Sequence, residues 1–254
     1  MKLTILGSGT SNGVPQIGCR CRTCCSTDPR DKRLRCSSLI ESDGGTRILI
    51  DCGPDFRQQI LPLPSQHLDA IFITHEHYDH VGGLDDLRPT LLFDLNVYAD
   101  DYCAQHLMER IPYCFTPKEK RYPGVPSINL DHIEPHVPVT VGDISVLPFR
   151  VMHGTLPILG FRIGKLVYIT DMSTLPDSEW QYIMGADTLI VNALHHRQHP
   201  SHQTVEQAVK FAQKIAARQT YFIHMSHFIL PHEDEEAFLP QGIHLAYDGL
   251  QITF

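Results

Sequence analysis

The stretch THEHYDH, residues 74–80, decides how the rest of this sequence is interpreted. It begins where the apolar run AIFIT ends, and such a run is typical of a short buried β-strand. His75 and His77 stand two positions apart, so an extended or turning backbone can aim both side chains in the same direction. Asp79 and His80 follow at once and can face a second position a few ångströms away. So many imidazole and carboxylate groups together have no ordinary packing role, and the stretch therefore predicts a metal site.

Three further potential ligands each follow another predicted strand: His153 after ISVLPFRV, Asp171 after LVYIT and His224 after QTYFI. Side chains at strand ends converge on one edge of an α/β sheet, so we expect these groups to lie beside the histidine-rich stretch. Together they suffice for a centre of two metal ions about 3.5–4 Å apart. Imidazole and carboxylate without thiolate suit zinc, manganese or iron. For His153 or His224 alone, a hydrogen-bonded histidine in a polar loop is an equally good interpretation.

Composition and charge exclude several classes of protein. The chain has 254 residues, of which 42% are hydrophobic and 20% charged, and these values fit a globular protein with a full-sized core. The formal net charge of −8 argues against an extended nucleic-acid-binding surface, and the charged run at 28–35 indicates an exposed face. No apolar run is long enough to span a membrane, and the N-terminal residues lack the pattern of a signal peptide. We therefore expect a cytoplasmic protein with no membrane or nucleic-acid partner, while pairing into a homodimer stays open.

Short β-rich runs and a few helical patterns predict a mixed α/β fold. GGTR at 44–47 and IGKL at 163–166 each join two runs as a hairpin, and proline-rich residues 112–138 indicate a long loop or cap. We expect a single domain over residues 1–254, with two sheets covered by helices. The predicted strands are 2–7, 37–42, 46–51, 70–74, 144–151, 159–163, 166–170, 188–192, 219–224 and 244–248, and the predicted helices are 202–218, 100–111 and 178–184.

A cysteine cluster, GCRCRTCC at residues 18–25, raises a separate question. A reducing compartment and a chain of this length both argue against a disulfide framework. Cys19, Cys21 and Cys24 offer three thiolates, whereas tetrahedral zinc needs four ligands, so a fourth must come from elsewhere. A redox dithiol or plain reduced thiols are the alternatives, and Cys25 is the spare. The remaining cysteines indicate small buried residues: Cys36, Cys52, Cys103 and Cys114.

The motifs around the histidine-rich stretch resemble those of a known family. THEHYDH resembles the HxHxDH signature of the metallo-β-lactamase superfamily, and TILGSGTSNGVP and ILIDCG resemble its opening strand and Asp-bearing turn. The order of ligand groups is similar along almost the whole chain. The resemblance implies a four-layer αββα sandwich with a dinuclear site, in which Asp51 supports the ligands from behind. It implies this assignment: His75, His77 and His153 on one ion, Asp79, His80 and His224 on the other, and Asp171 bridging both.

Three finer features resemble one branch of that superfamily, which holds ribonuclease Z and the PhnP-like cyclic phosphodiesterases. Hydroxyl residues follow Asp171 in TDMST, His202 precedes Thr204 at a predicted helix start, and HMSH closes the ligand series. The PhnP-like resemblance implies a structural zinc site in the loop 18–36. Its ligands would be Cys19, Cys21, Cys24 and His227.

These features predict a metal-dependent phosphodiesterase of a small or cyclic phosphate ester, with a phosphoribosyl cyclic phosphate among the candidates. A hydroxide held between two Mn or Zn ions is the expected nucleophile. Asp79 and His202 are the candidate catalytic residues, and His202 either protonates the leaving oxygen or grips the phosphate. Asn192 stands where related enzymes often have an acidic residue. The alternatives are a tRNA 3′-processing endonuclease and a noncatalytic carrier like the cofactor-biosynthesis members. The histidines of the 195–199 segment, His195, His196 and His199, indicate a solvated loop, and the alternative is that they line the mouth of the substrate site.

Overall fold

Two β-sheets form the centre of the protein, a computed structural model in which residues 1–89 and 94–254 are described. The strands of the first sheet are β1 (Lys2–Gly7), β2 (Ser37–Glu41), β3 (Arg47–Ile50), β4 (Ala70–Phe72), β5 (Leu95–Ala99), β6 (Ile128–His132) and β14 (Gln251–Thr253). Those of the second are β7 (Val139–Val141), β8 (Ile144–His153), β9 (Leu156–Ile163), β10 (Leu166–Tyr168), β11 (Thr188–Asn192), β12 (Gln219–Ile223) and β13 (Ile243–Leu245). The spatial orders are β14-β1-β2-β3-β4-β5-β6 and β13-β12-β11-β10-β9-β8-β7.

Helices cover the outer face of each sheet. The described α-helices are α1 (Phe56–Ile60), α2 (Tyr78–Val81), α3 (Asp101–Arg110), α4 (Trp180–Ile183), α5 (Val205–Ile215) and α6 (His232–Glu236). Residues of α1, α2 and α3 share an apolar cluster with the first sheet, and residues of α4 and α5 share one with the second. None of the helices in the described ranges is long and apolar enough to cross a bilayer.

The alternation of side chains along each strand produces the layers. In β3, Leu49 packs with the helices, whereas Ile48 and Ile50 belong to a third cluster between the two sheets. Phe161 of β9 meets that cluster from the opposite sheet, with its ring 5.7 Å from the ring of Phe72. Full burial of each such side chain contributes about 1.5–3 kcal/mol. The four-layer αββα prediction is therefore confirmed.

Most predicted elements are present, and both predicted hairpins are confirmed. β2 and β3 pair antiparallel, as do β9 and β10. The predicted loop at 112–138 is wrong in part, because β6 lies inside it and pairs in parallel with β5. β6 escaped prediction since it ends the sheet and buries only Ile128, so it lacks the apolar alternation of an internal strand. β5, β7 and β14 were also not predicted.

Candidate metal centre

Strand ends bring the predicted metal ligands together. They lie as follows: His75 and His77 after β4, Asp79 and His80 in α2, His153 at the end of β8, Asp171 after β10 and His224 after β12. Except for His77, all of these side chains are buried. Burial of so many polar groups is costly unless they have strong partners, and a metal ion is such a partner.

Left-handed backbone aims three residues of this region into the site. Asp51 has φ 61°, Asp171 has φ 54° and His224 has φ 55°. A side chain other than glycine in this region costs of order 1–3 kcal/mol and persists only where the surrounding structure enforces it. Asp51 and His224 directly follow β3 and β12, so the strands supply that enforcement.

The first ligand set consists of three histidines whose ligand atoms lie within 4.8 Å of one another: His75, His77 and His153. His75 Nε2 is 3.1 Å from His77 Nδ1. His153 Nδ1 lies 2.8 Å from the carbonyl oxygens of Asp171 and Ser201, so it carries the proton and leaves Nε2 free for an ion. Thr74 Oγ1 similarly lies 2.9 Å from His75 Nδ1. These neighbours orient the rings as ligands.

The second set has its ligand atoms within 4.8 Å of one another as well, and all four residues are buried: Asp79, His80, Asp171 and His224. His80 Nε2 lies 3.2 Å from Asp79 Oδ2 and 3.4 Å from Asp171 Oδ1, yet it makes no hydrogen bond within the described residues. Behind it, His80 Nδ1 lies 2.7 Å from Asp51 Oδ2. A buried nitrogen that faces carboxylates without a hydrogen bond fits a metal ligand, so the residues present suit a divalent ion.

Asp171 stands between the two sets. Its Oδ2 is 3.2 Å from His224 Nε2 and 3.9 Å from His75 Nε2, and its Oδ1 is 3.4 Å from His80 Nε2. One carboxylate therefore faces ligands of both sets, which is the arrangement of a bridging ligand.

Electrostatics keep the carboxylates of the second set ionised. Burial raises the pKa of Asp171, but the facing imidazoles of His224 and His80 outweigh it and hold that pKa well below its usual range. The pKa of Asp79 is lowered by the same balance of burial against His80 and His224. Burial lowers the pKa of His80, and three carboxylates, led by Asp79, raise it well above its ordinary value. The site thus concentrates negative charge that a cation can neutralise.

The cysteine cluster forms a second group with metal-ligand geometry. Cys19, Cys21, Cys24 and His227 place their ligand atoms within 4.8 Å of one another. His227 Nδ1 is 3.2 Å from Cys19 Sγ and 3.5 Å from Cys21 Sγ. Burial raises the pKa of Cys21, but hydrogen bonds from Cys24 N–H and His227 outweigh it and lower the pKa to about 6. Three thiolates and one imidazole suit tetrahedral zinc. Cys25 is exposed and lies outside this group, and the remaining cysteines are buried as predicted: Cys36, Cys52, Cys103 and Cys114.

A cleft of about 630 Å³ opens beside the first ligand set. His153 and His202 line it, together with Ser173, Thr174 and Gln207. His202 Nδ1 is buried without a hydrogen-bond partner in the described ranges and lies 4.0 Å from Asp171 Oδ2. Burial lowers the pKa of His202 to about 3, so its ring is neutral at pH 7.

Thr204 holds the segment that carries His202 at the start of α5. Its Oγ1 accepts from Gln207 N at 3.2 Å, and Thr204 N donates to Gln207 Oε1 at 2.8 Å. This reciprocal pair is a capping box, and it fixes the backbone two residues after His202.

The prediction of a solvated loop at 195–199 holds only in part. His195 is buried and packs 6.0 Å from the ring of Phe228. His196 is half exposed and lies between Glu206 and Glu235, at 2.7 and 3.1 Å. His199 is exposed but lines the cleft with His202. The prediction is therefore wrong for His195, because the aromatic ring of Phe228 covers it from a distant part of the chain.

Reasoning from the sequence missed one residue of the site and left the contact of another open. Thr74 bonds both Asp51 and His75, and Asn192 hydrogen-bonds the backbone next to Asp171. Thr74 could have been found as the residue that links the strand to the first histidine. Asn192 was noted only as a difference from related enzymes, and its contact could not be predicted because Met172 lies 20 residues away in the sequence.

Comparison with known proteins adds to this geometry. A model of the beta-lactamase superfamily domain matches residues 46–225. The chain belongs to the beta-lactamase superfamily. A solved structure, that of a diphosphatase from the PhnP family, is 40% identical with a TM-score of 0.91, and the match covers 100% of this chain and 96% of that one. This similarity confirms the predicted branch.

Two further proteins are similar to this chain. An octanoyltransferase from Porphyromonas gingivalis is 46% identical over 253 residues, which are 99% of this chain and 51% of that protein. The chain thus spans about half the length of that relative. Zinc-bound PqqB from Methylobacterium extorquens is 22% identical with a TM-score of 0.85, covers 100% of both chains and supports the fold alone.

Proposed function

We propose that this chain is a dinuclear metal-dependent phosphodiesterase that hydrolyses a small or cyclic phosphate ester. The observation that carries the proposal is the position of Asp171 between two ligand sets, one of three histidines and one with Asp79, His80 and His224. Two divalent ions, Mn or Zn, would lower the pKa of water and offset the negative charge of the phosphoryl oxygens. The similarity to a PhnP-family diphosphatase supports phosphoryl chemistry.

The carboxylates of the chain orient the attacking water. Asp79 and Asp171 stay ionised, because the imidazoles that face them lower both pKa values. An ionised carboxylate accepts a hydrogen bond, so Asp79 Oδ2 can fix the direction of a water proton. In-line attack needs the nucleophile and the leaving oxygen on opposite sides of phosphorus, and we assign the leaving side to the cleft that His202 lines.

His202 serves the leaving oxygen. Its Nδ1 has no hydrogen-bond partner in the described part of the chain and lies 4.0 Å from Asp171 Oδ2, so it faces the space where a phosphoryl group would lie. A neutral ring is a poor acid, yet a bound phosphate anion raises the pKa of a neighbouring imidazole. His202 therefore grips the phosphate first, and its proton passes to the departing oxygen as that oxygen gains charge.

The dimensions of the cleft and the charge of the chain favour a small substrate. A volume of about 630 Å³ suits a ligand of nucleotide size. The net charge of −8 argues against tRNA, whose phosphates require a basic surface. A noncatalytic carrier would not need a carboxylate between two ligand sets. The octanoyltransferase name describes a protein twice as long, so it assigns no acyl-transfer role to a residue of this chain.

Hydrolysis of a diphosphate bond is a second candidate, favoured by the name of the PhnP-family relative. It uses the same metal centre, since both reactions break a phosphorus–oxygen bond. The two candidates differ in the leaving group, which is an alkoxide in one and a phosphate in the other.

The test is turnover by protein that has been reconstituted with Mn²⁺ or Zn²⁺. Substrates are bis(p-nitrophenyl) phosphate, a 1,2-cyclic and a 2′,3′-cyclic phosphate, a dinucleoside diphosphate, precursor tRNA and a lactone. Preference for a small diester supports the proposal, and preference for the diphosphate selects the second candidate. Absence of phosphodiester and diphosphate hydrolysis with both metals would overturn both. For variants that remove a carboxylate of the metal centre, the control is Asp43→Asn, because that carboxylate is 96% exposed. Asp43→Asn should hydrolyse the same substrates as the wild-type protein.

A further inference from the structure

Asn192, the last residue of β11, makes two hydrogen bonds to a single backbone residue beside the metal centre. Its Oδ1 accepts from Met172 N at 2.8 Å, and its Nδ2 donates to Met172 O at 3.0 Å. The side chain is completely buried. β10 and β11 pair in parallel as far as Tyr168 and Ile190. Beyond that pair, the side-chain amide of Asn192 supplies the hydrogen-bond partners of the backbone N–H and carbonyl of Met172.

The peptide between Asp171 and Met172 is therefore held on both sides. Its N–H donates to Asn192, and its carbonyl oxygen, which belongs to Asp171, lies 2.8 Å from His153 Nδ1. Asp171 has φ 54°, a conformation that a non-glycine residue keeps only under such constraint. Fixing this peptide fixes the direction in which the carboxylate of Asp171 leaves the backbone.

The next carbonyl, that of Met172, contacts the segment that carries His202. Met172 O accepts from Gln203 N at 3.1 Å as well as from Asn192 Nδ2. Gln203 is the neighbour of His202, so one backbone residue anchors both Asp171 and His202. His202 Nδ1 and Asp171 Oδ2, the side-chain atoms on either side of that shared anchor, lie 4.0 Å apart.

We propose that Asn192 is a positioning residue for the metal centre: its amide sets Asp171 between the two ions and sets its distance to His202. The carboxamide fits this role, because one end accepts and the other donates. Leucine has a similar size but offers neither group, so it would leave the N–H and the carbonyl of Met172 without these side-chain partners. The proposal rests on the two-metal centre of the proposed function, but not on the identity of its substrate.

The test is titration of metal-free Asn192→Leu with Mn²⁺, without substrate, followed by electron paramagnetic resonance. In the wild-type protein, a carboxylate bridge between two Mn²⁺ ions gives an exchange-coupled signal. In Asn192→Leu, we expect metal affinity to fall about 10- to 100-fold, as is usual when a neighbour of a ligand is changed. The coupled signal should give way to that of isolated ions. A merely structural role would not alter this coupling in protein that remains folded.

Controls separate positioning from unfolding. Asn129→Leu makes the same change at an exposed site in β6 and should leave affinity and signal unchanged. Folding is checked by the melting temperature and by the absorption of Co²⁺ bound to the cysteine cluster. If Asn192→Leu does not fold, Asn192→Ala, which removes the same amide without adding a larger apolar group, is measured in its place. Wild-type affinity and coupling in the folded Asn192 variant would overturn the proposal. Wild-type protein that gives the coupled signal but no phosphoryl hydrolysis would overturn only the proposed function.

Discussion

His224 and His227 lie three residues apart after β12, yet they face different ligand groups. His224 Nε2 is 3.2 Å from Asp171 Oδ2, whereas His227 Nδ1 is 3.2 Å from Cys19 Sγ. Between them, Met225 N donates to Ser8 O, and Thr10 N donates to Met225 O. The short segment from 224 to 227 thus connects the cysteine cluster, the first strand and the metal centre.

Removing a thiolate should release one zinc per chain and lower stability. At free zinc a thousand times its Kd, bound zinc contributes about 4 kcal/mol, so Cys24→Ser should lose an amount of that order. For a chain of this size, the melting temperature would fall by about 8–16 °C. Cys25→Ser, at the exposed neighbouring position, should keep both the zinc and the melting temperature. Metal analysis and calorimetry measure the two quantities, and the reverse pattern would contradict the assignment of ligands.

Loss of the proposed bridging carboxylate should affect the metal of the active centre but not the zinc of the cysteine cluster. Asp171→Ala removes the carboxylate that faces both ligand sets, so we expect kcat to fall by at least about 10²–10³-fold. Metal bound at the active centre should be lost, while the zinc of the cysteine cluster remains. Element analysis after dialysis distinguishes the two sites. If the cysteine cluster also lost its zinc, the two sites would not be independent.

The capping box at α5 predicts a small, separable effect. Thr204→Ala should lower the free energy of unfolding by about 1 kcal/mol, because Gln207 N loses its side-chain acceptor. Since Thr204 is two residues from His202, substrate binding should weaken as well, which KM would report. Thr204→Ser keeps the acceptor and should behave like the wild-type protein. Equal losses of stability in the Ala and Ser variants would contradict this prediction, because they would assign the stabilisation to the methyl group of Thr204 and not to its capping hydroxyl.

A buried histidine that belongs to none of the ligand groups, His232, predicts how stability depends on pH. Burial, with the neighbouring Arg33 guanidinium 3.2 Å from Nδ1, lowers the pKa of His232 from 6.5 to about 4. The unfolded chain takes up a proton near pH 6.5 and the folded chain only near pH 4. The stability from neutral His232 is therefore complete above pH 6.5 and is lost as the pH falls toward 4, by at most about 3 kcal/mol.

Urea unfolding at a series of pH values tests this dependence. His232→Asn keeps an acceptor near the place of Nδ1 but does not titrate, so the stability difference from wild type should change between pH 6.5 and 4. His67→Asn alters an exposed histidine and is the control. Parallel pH profiles for the wild type and His232→Asn would contradict the prediction.

The sequence predicted the strand ends and their ligands better than it predicted the sheet edges. The group at 75–80 could be found because its residue types are incompatible with ordinary packing. β6 and β14 could not, since each buries a single side chain and therefore carries almost no apolar pattern. Arg33 lies in a charged run that indicated an exposed face, yet it is 2% exposed because His232, Ser8 and Ala246 bond its guanidinium. Such contacts join distant parts of the chain, and local sequence does not encode them.

The positive φ angles of Asp51, Asp171 and His224 also bear on which ion the centre selects. Because the flanking strands hold Asp51 and His224, and Asn192 holds the peptide after Asp171, the ligand atoms are positioned by the fold itself. Ligands held in this way lose little conformational entropy when a metal ion binds. They also resist the displacements that an ion with a different preferred geometry would need. Imidazole and carboxylate donors suit manganese, zinc and iron alike, so discrimination among them rests on the spacing that the sheets impose.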